Sequence, residues 1–112
     1  FSCDLEKALC RVPQNEFKIL LCHNPDVRTH IKNETKIDIT LCGHTHGGQV
    51  AIPYISQHFI PIKNPFRYQA GLIKEPYGYT YVNRGIGTLV FPFRMAASPE
   101  ITCFTLQKSG SV

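Results

Sequence analysis

The sequence predicts an α/β fold. Residues 17–22 and 37–42 are compact apolar runs, and Asn24-Pro25-Asp26 between them is a helix-start signal. Strand, helix and strand joined by short links form a βαβ unit, which builds a parallel sheet through a right-handed crossover. The length agrees: 112 residues, 43% hydrophobic and 18% charged, suit one packed domain rather than two or a disordered chain.

Each element has its own signal. Leu5, Leu9 and Val12 fall on one face of a 3.6-residue period, so a short helix is expected over 3–12, capped by Ser2 or Asp4 and ended by Pro13. Phe17, Ile19, Leu20, Leu21 and Cys22 show almost no alternation, which reads as a strand buried on both faces. The helix after Asn24 should run to about Lys32 with Val27 and Ile31 inward. Ile37, Ile39 and Leu41 alternate and should share one face. From Val50 the texture changes. A short strand near 49–52 leads into a long excursion over 50–79, rich in aromatics and prolines. Strands are expected again at 79–83 and 101–106, with a tight turn at 84–88 and a connector at 92–94.

Composition narrows the function. A net charge of +4 suits anionic partners, yet no run of Lys or Arg marks a nucleic-acid binder, and none is expected. No apolar run approaches the roughly 18 residues of a membrane span. The cysteines (Cys3, Cys10, Cys22, Cys42, Cys103) are odd in number and irregularly spaced, which favours reduced thiols and a reducing compartment, with Cys22, Cys42 and Cys103 buried. The chain opens on Phe1 and its only methionine is Met95, so a processed or truncated product is expected.

Chemistry gathers where both apolar runs end. Cys22-His23-Asn24-Pro25 stands after the first, and Gly43-His44-Thr45-His46-Gly47-Gly48-Gln49 after the second. In open α/β sheets, ligand groups collect beyond the carboxyl ends of strands. Imidazole suits Zn, Mn or Fe, and the glycines leave room for an ion and a substrate. His23, His44 and His46 are therefore the candidate metal ligands. A zinc site that also used Cys22 and Cys42 is disfavoured, because neighbours along a strand point to opposite faces. His30 reads as a surface residue, and His58 is a weak candidate for substrate contact. Asn83 and Arg84, at a strand end before Gly85-Ile86-Gly87, are either a solvated turn or a phosphate contact. The glycine pair falls short of a dinucleotide fingerprint.

The segments 19–26 and 37–49 resemble the calcineurin-like metallophosphoesterases, above all in Gly-His-Thr-His-Gly-Gly-Gln. Tyr81-Val82-Asn83-Arg84-Gly85-Ile86-Gly87-Thr88, Arg94 and Pro99-Glu100-Ile101 look like a bacterial branch that includes membrane-associated phosphohydrolases and a UDP-2,3-diacylglucosamine pyrophosphatase of lipid A synthesis. The resemblance implies a β-sandwich flanked by helices in four layers, α/β/β/α, of which 1–112 would be the carboxy-terminal half of a single domain, incomplete on its own. The excursion over 50–79 would lie near the active site. The family's Asp-x-His, Gly-Asp-x-x-Asp and Gly-Asn-His motifs do not occur here. By analogy, two divalent metal ions (Mn, Zn or Fe) would be shared with the missing half, His46 on one and His23 with His44 on the other. The complete protein would hydrolyse a phosphoester or pyrophosphate bond, on a lipid-linked or nucleotide-sugar-lipid substrate, in the cytoplasm or at the cytoplasmic face of the inner membrane. This chain alone would be inactive. A non-catalytic metal-binding fragment is the alternative. The missing half, or a second copy of the chain, is the expected protein partner, and a membrane surface a further one.

Overall fold

The computed structural model describes residues 4–52, 56–90 and 92–108. Ser2, Cys3, Tyr54 and Ile55 lie outside the described residues, and with them the capping expected of Ser2 and part of the aromatic excursion. The chain pairs β1 (Ile19–Leu21), β2 (Ile39–Cys42), β3 (Gly71–Glu75) and β4 (Gly78–Val82) into a four-stranded mixed sheet ordered β1-β2-β4-β3. β1, β2 and β4 are parallel, with Leu20 opposite Thr40 and Thr40 opposite Thr80, and β3 is antiparallel to β4. The α/β expectation and the parallel β1–β2 pair hold.

Helix α1 (Leu5–Leu9) is shorter than expected; Asp4 caps it, its carboxylate accepting from the Lys7 amide at 2.9 Å. The Asn24 side chain likewise accepts from the Asp26 amide at 2.8 Å, and Pro25 opens the second helix. That helix is of the 3₁₀ type and spans Pro25–His30, instead of an α-helix to Lys32. Its bonds step by three residues, as from the Val27 amide to Asn24 and the Ile31 amide to Arg28. 3₁₀ geometry serves here as a short connector between β1 and β2. Val27 and Ile31 are buried as expected.

In β2 the alternation holds, with Ile39 and Leu41 on one face. β2 buries Thr40 and Cys42 and leaves Ile39 and Leu41 half-buried. β1 is not buried on both faces: Leu21 is 75% exposed. A period of two fixes which side chains share a face, not which face is covered. The covered face holds Val27, Cys42, Tyr68, Ile73 and Val82, with Leu20, Cys22 and Ile62 against them. A second cluster joins Leu5, Ile31 and Ile37, with Leu9, Leu20 and Tyr77.

Strand β3 lies inside the excursion and was not expected. Only Leu72 and Ile73 are apolar between Gly71 and Lys74, too short a run to register as a strand alone. Pro76 and Tyr77 turn the hairpin, and Gly78 then passes so close to β2 that an added Cβ would sit 2.0 Å from the Ile37 carbonyl. The rest of the excursion is tied down by Tyr68, whose hydroxyl donates to Glu75 at 2.6 Å and whose ring lies 3.6 Å beneath the Arg28 guanidinium. The Lys63 amide donates to the Asp26 carboxylate at 2.9 Å and 3.1 Å.

The strands expected near 49–52 and at 101–106 are not formed. The first reduces to an isolated bridge between Val50 and Met95. The second makes no backbone ladder; it is held by side chains alone, Thr102 bonding Tyr81 and Asn83 at 2.8 Å each and Phe104 standing edge-on to Tyr81 at 5.0 Å. Cys103, expected to be buried there, is exposed. No helix among the described residues is long and apolar enough to cross a membrane.

Candidate functional site

Parallel pairing of β1 with β2 brings two strand ends side by side. The ladder continues one step beyond them, the Gly43 amide donating to the His23 carbonyl at 3.0 Å. His23 and His44 therefore leave the sheet together, with ring centroids 5.2 Å apart and planes at 76°. His44 and His46 both take positive φ, 70° and 51°, which non-glycine residues rarely adopt. Such strain persists only where the surroundings enforce it.

Those surroundings are a mesh around 45–49. Thr45 donates its hydroxyl to the Gln69 carbonyl at 2.7 Å, and Gln69 returns a side-chain N–H to the Gly47 carbonyl at 2.7 Å. Gly47, at φ 62°, lies under the Arg84 stem, where an added Cβ would come within 2.6 Å of Cγ. The Gln49 amide pairs with Leu89 in both directions, donating to its carbonyl at 2.8 Å and accepting from its N–H at 2.5 Å. Arg94 donates to the His46 carbonyl at 3.0 Å. Gln69 and Arg94 are the brace residues that sequence reasoning missed as such. Gln69 carries no sequence signal, and Arg94 stood out only within a longer resemblance.

Burial lowers the pKa of His44, and the neighbouring His23 and then His46 push the same way, against a smaller opposing effect of Asp26. The ring is thus biased toward its neutral form, the form that ligates metal. Cys42 is the reverse case: burial, then Cys22, pushes its thiol up to about 12, so it sits in the core as a thiol. Among the described residues, no group of three His, Cys, Asp or Glu side chains is placed to hold a metal ion by itself. The donor chemistry fits a divalent ion of the Zn, Mn or Fe class. The number of donors fits only part of a coordination sphere.

Asn83 and Arg84 lie across from this loop. Asn83 accepts from the Gly85 amide at 2.6 Å and donates to Thr102 at 2.8 Å. Arg84 pairs through Nε with Glu100 at 2.7 Å. Glu100 also accepts from the Tyr81 and Thr102 hydroxyls, and these two bonds, with Arg84, hold its carboxyl down at about 2. His30 and His58 are exposed. Beside His44 and His46 opens a cavity of about 450 Å³, walled by Val50, Ile52, Phe59, Ile60, Leu89 and Val90.

No family model matches the chain, and no solved structure matches it significantly. Curated proteins do. Metallophosphoesterase YkuE of Bacillus subtilis is 37% identical over 107 residues, 96% of this chain and 37% of its own length. Phosphodiesterase YaeI of Escherichia coli is 36% identical over 107 residues, 92% of this chain and 38% of its own. A metallophosphoesterase of Helicobacter pylori (strain ATCC 700392 / 26695) is 34% identical over 107 residues, 95% of this chain and 28% of its own. The chain thus spans little more than a third of these relatives at most. Carried along nearly the whole chain, the likeness supports a metallophosphoesterase family for it.

Proposed function

We propose that this chain is part of a metal-dependent phosphohydrolase and supplies His23, His44 and His46 to its metal centre. The observation that carries the reading is the side-by-side exit of His23 and His44 from adjacent parallel strands, rings 5.2 Å apart. The relatives' names, metallophosphoesterase and phosphodiesterase, support hydrolysis of a phosphoester bond; a pyrophosphate bond is the finer alternative. Divalent ions (two of Mn, Zn or Fe in the complete site) would supply charge for the phosphoryl oxygens and a nucleophile at neutral pH. The chain's own residues do the rest. The braced loop keeps His44 and His46 at their strained backbone angles. Arg84 bonds Glu100 through Nε, and its Nη groups have no partner among the described residues, so they offer a fork for a phosphate oxygen. Asn83 would contribute by shaping the turn that presents Arg84.

The finer substrate reading is a phosphate compound with an apolar group, of the lipid-linked kind. The apolar cavity opening on His44 and His46 supports it, as do exposed Phe59 and Phe66 for peripheral contact with a membrane surface. The sandwich reading rests on the uncovered sheet face. Its occupant would be the remainder of the parent protein, since the relatives are nearly three times as long as the stretch matched. The second reading, for the isolated chain, is a metal-binding fragment without turnover.

The test uses the complete protein. Chelation should abolish hydrolysis of bis(p-nitrophenyl) phosphate, and Mn, Zn or Fe should restore it. A long-chain alkyl p-nitrophenyl phosphate should then outcompete the methyl ester. Turnover that survives chelation, or none with any of the three metals, would overturn the proposal. Equal rates on the two esters would remove the apolar-substrate part.

A further inference from the structure

Arg94 uses its charge in an unusual way. Nε donates to the Gly87 carbonyl at 3.1 Å; Nη1 donates to the carbonyls of His46 and Ala97, both at 3.0 Å; Nη2 donates to those of Arg84 at 2.8 Å and Gly87 at 2.5 Å. These bonds engage the whole guanidinium fork. Every acceptor is a main-chain carbonyl, and no carboxylate pairs with Arg94 among the described residues. The side chain ties the histidine loop, the 84–87 turn and the 94–97 segment to a single point.

The Gly87 carbonyl has a further partner. His46 Nδ1 lies 3.3 Å from the same oxygen. A carbonyl can only accept, so a hydrogen bond at this contact puts the proton on Nδ1. The neutral ring then carries its lone pair on Nε2. Free histidine prefers the opposite tautomer. Gly87 has open space around its Cα and is exposed, so nothing but the bonds to its carbonyl aims it. Arg94 thus grips His46 twice: directly at its own carbonyl, where φ is 51°, and through Gly87 at its ring.

We propose that Arg94 is a positioning residue that holds His46 as the Nδ1–H tautomer with Nε2 presented as a ligand atom. The consequence for metal affinity rests on the reading of His46 as a ligand; the tautomer does not. A backbone carbonyl on the far nitrogen is the general means by which a ligating histidine is oriented, and removing such support costs about 10–100-fold in metal affinity or activity.

The experiment is long-range ¹H–¹⁵N NMR on the complete protein after chelation, at about pH 8, above the ordinary histidine range. His46 in the wild type should show a protonated Nδ1 and a bare Nε2. Arg94→Gln should move it toward the Nε2–H form, with His23 unchanged, and weaken Zn binding by about 10–100-fold. Arg94→Lys keeps the charge but cannot bridge these carbonyls, so it should behave like Arg94→Gln. A wild-type His46 protonated on Nε2 overturns the proposal whatever the variants do. So does Arg94→Gln with the Nδ1–H form intact, or full rescue by lysine, which would reduce Arg94 to a local charge. If the tautomer depends on Arg94 but zinc does not bind, this inference stands and the metal-centre reading fails.

Discussion

The two faces of the four-stranded sheet carry similar apolar side chains and have opposite fates. On one, Leu20, Cys42, Ile73 and Val82 close against Val27, Tyr68 and Ile62, and Val27 and Val82 are fully buried. On the other, Ile19, Leu21, Ile39, Leu41, Leu72, Tyr79 and Tyr81 line up in register across all the strands, and Leu21 and Leu72 are 75% and 60% exposed. Only at Tyr81 does covering begin, where Glu100, Thr102 and Phe104 cross the face without adding a strand. A contiguous exposed apolar face marks an interaction surface. This chain's own core is one-sided, whereas the histidine loop at the end of the sheet is braced by Gln69 and Arg94.

Ile73 and Leu72 are adjacent in β3 and face opposite ways, so truncating each in turn separates the two faces. In chemical denaturation of the 112-residue chain, Ile73→Ala should cost about 2–5 kcal/mol, the range for emptying a packed site. Equal losses for Leu72→Ala and Ile73→Ala would mean that both faces are covered. Glu100 comes next, as the residue that begins to cover the open face. Hydrogen bonds from Tyr81 and Thr102 and the Arg84 pair lower its folded pKa from about 4.5 to about 2. Its stabilising effect is therefore complete above about pH 4.5 and lost as pH falls toward about 2. Glu100→Gln should cost about 1.5–3 kcal/mol at neutral pH. Melting profiles of the variant should then be flatter than wild type across that acid window; parallel profiles would mean that Glu100 is unpaired in solution. The smallest effect belongs to Leu21→Ala, which should change the isolated chain by no more than about 0.5 kcal/mol. In the complete protein the same substitution should rise into the range of Ile73→Ala, and a value near zero there would leave the open face without an occupant.

Much of the site was legible in the sequence because its signals are local. Asn24-Pro25 announces a capped turn wherever it stands, and glycines around His44 and His46 announce a backbone that needs space. The parallel β1–β2 pair is a consequence of that turn. What could not be read depends on distant contacts. Which face of β2 is buried depends on Tyr68 and Val27 arriving over Thr40 and Cys42, not on the alternation of Ile37, Ile39 and Leu41. β3 is a strand because it pairs along β4, whose Gly78 lies too close to the Ile37 carbonyl to carry a side chain, and its own apolar content is too small to announce it. Residues 101–106 have the composition of a strand but are held by side-chain bonds from Tyr81 and Asn83 to Thr102 in place of a ladder. The roles of Gln69, Arg94 and Glu100 rest on hydrogen bonds across 16 to 48 positions, beyond the reach of any spacing rule.

On the proposed function, the histidines after β1 and β2 hold the metal on which hydrolysis depends. Metal content and kcat/KM on bis(p-nitrophenyl) phosphate, measured together for the complete protein and its His44→Ala variant, test it most directly. The variant should remain folded, lose bound metal, and lose turnover by orders of magnitude. A folded His44→Ala protein with full metal content and wild-type kcat/KM would contradict the account.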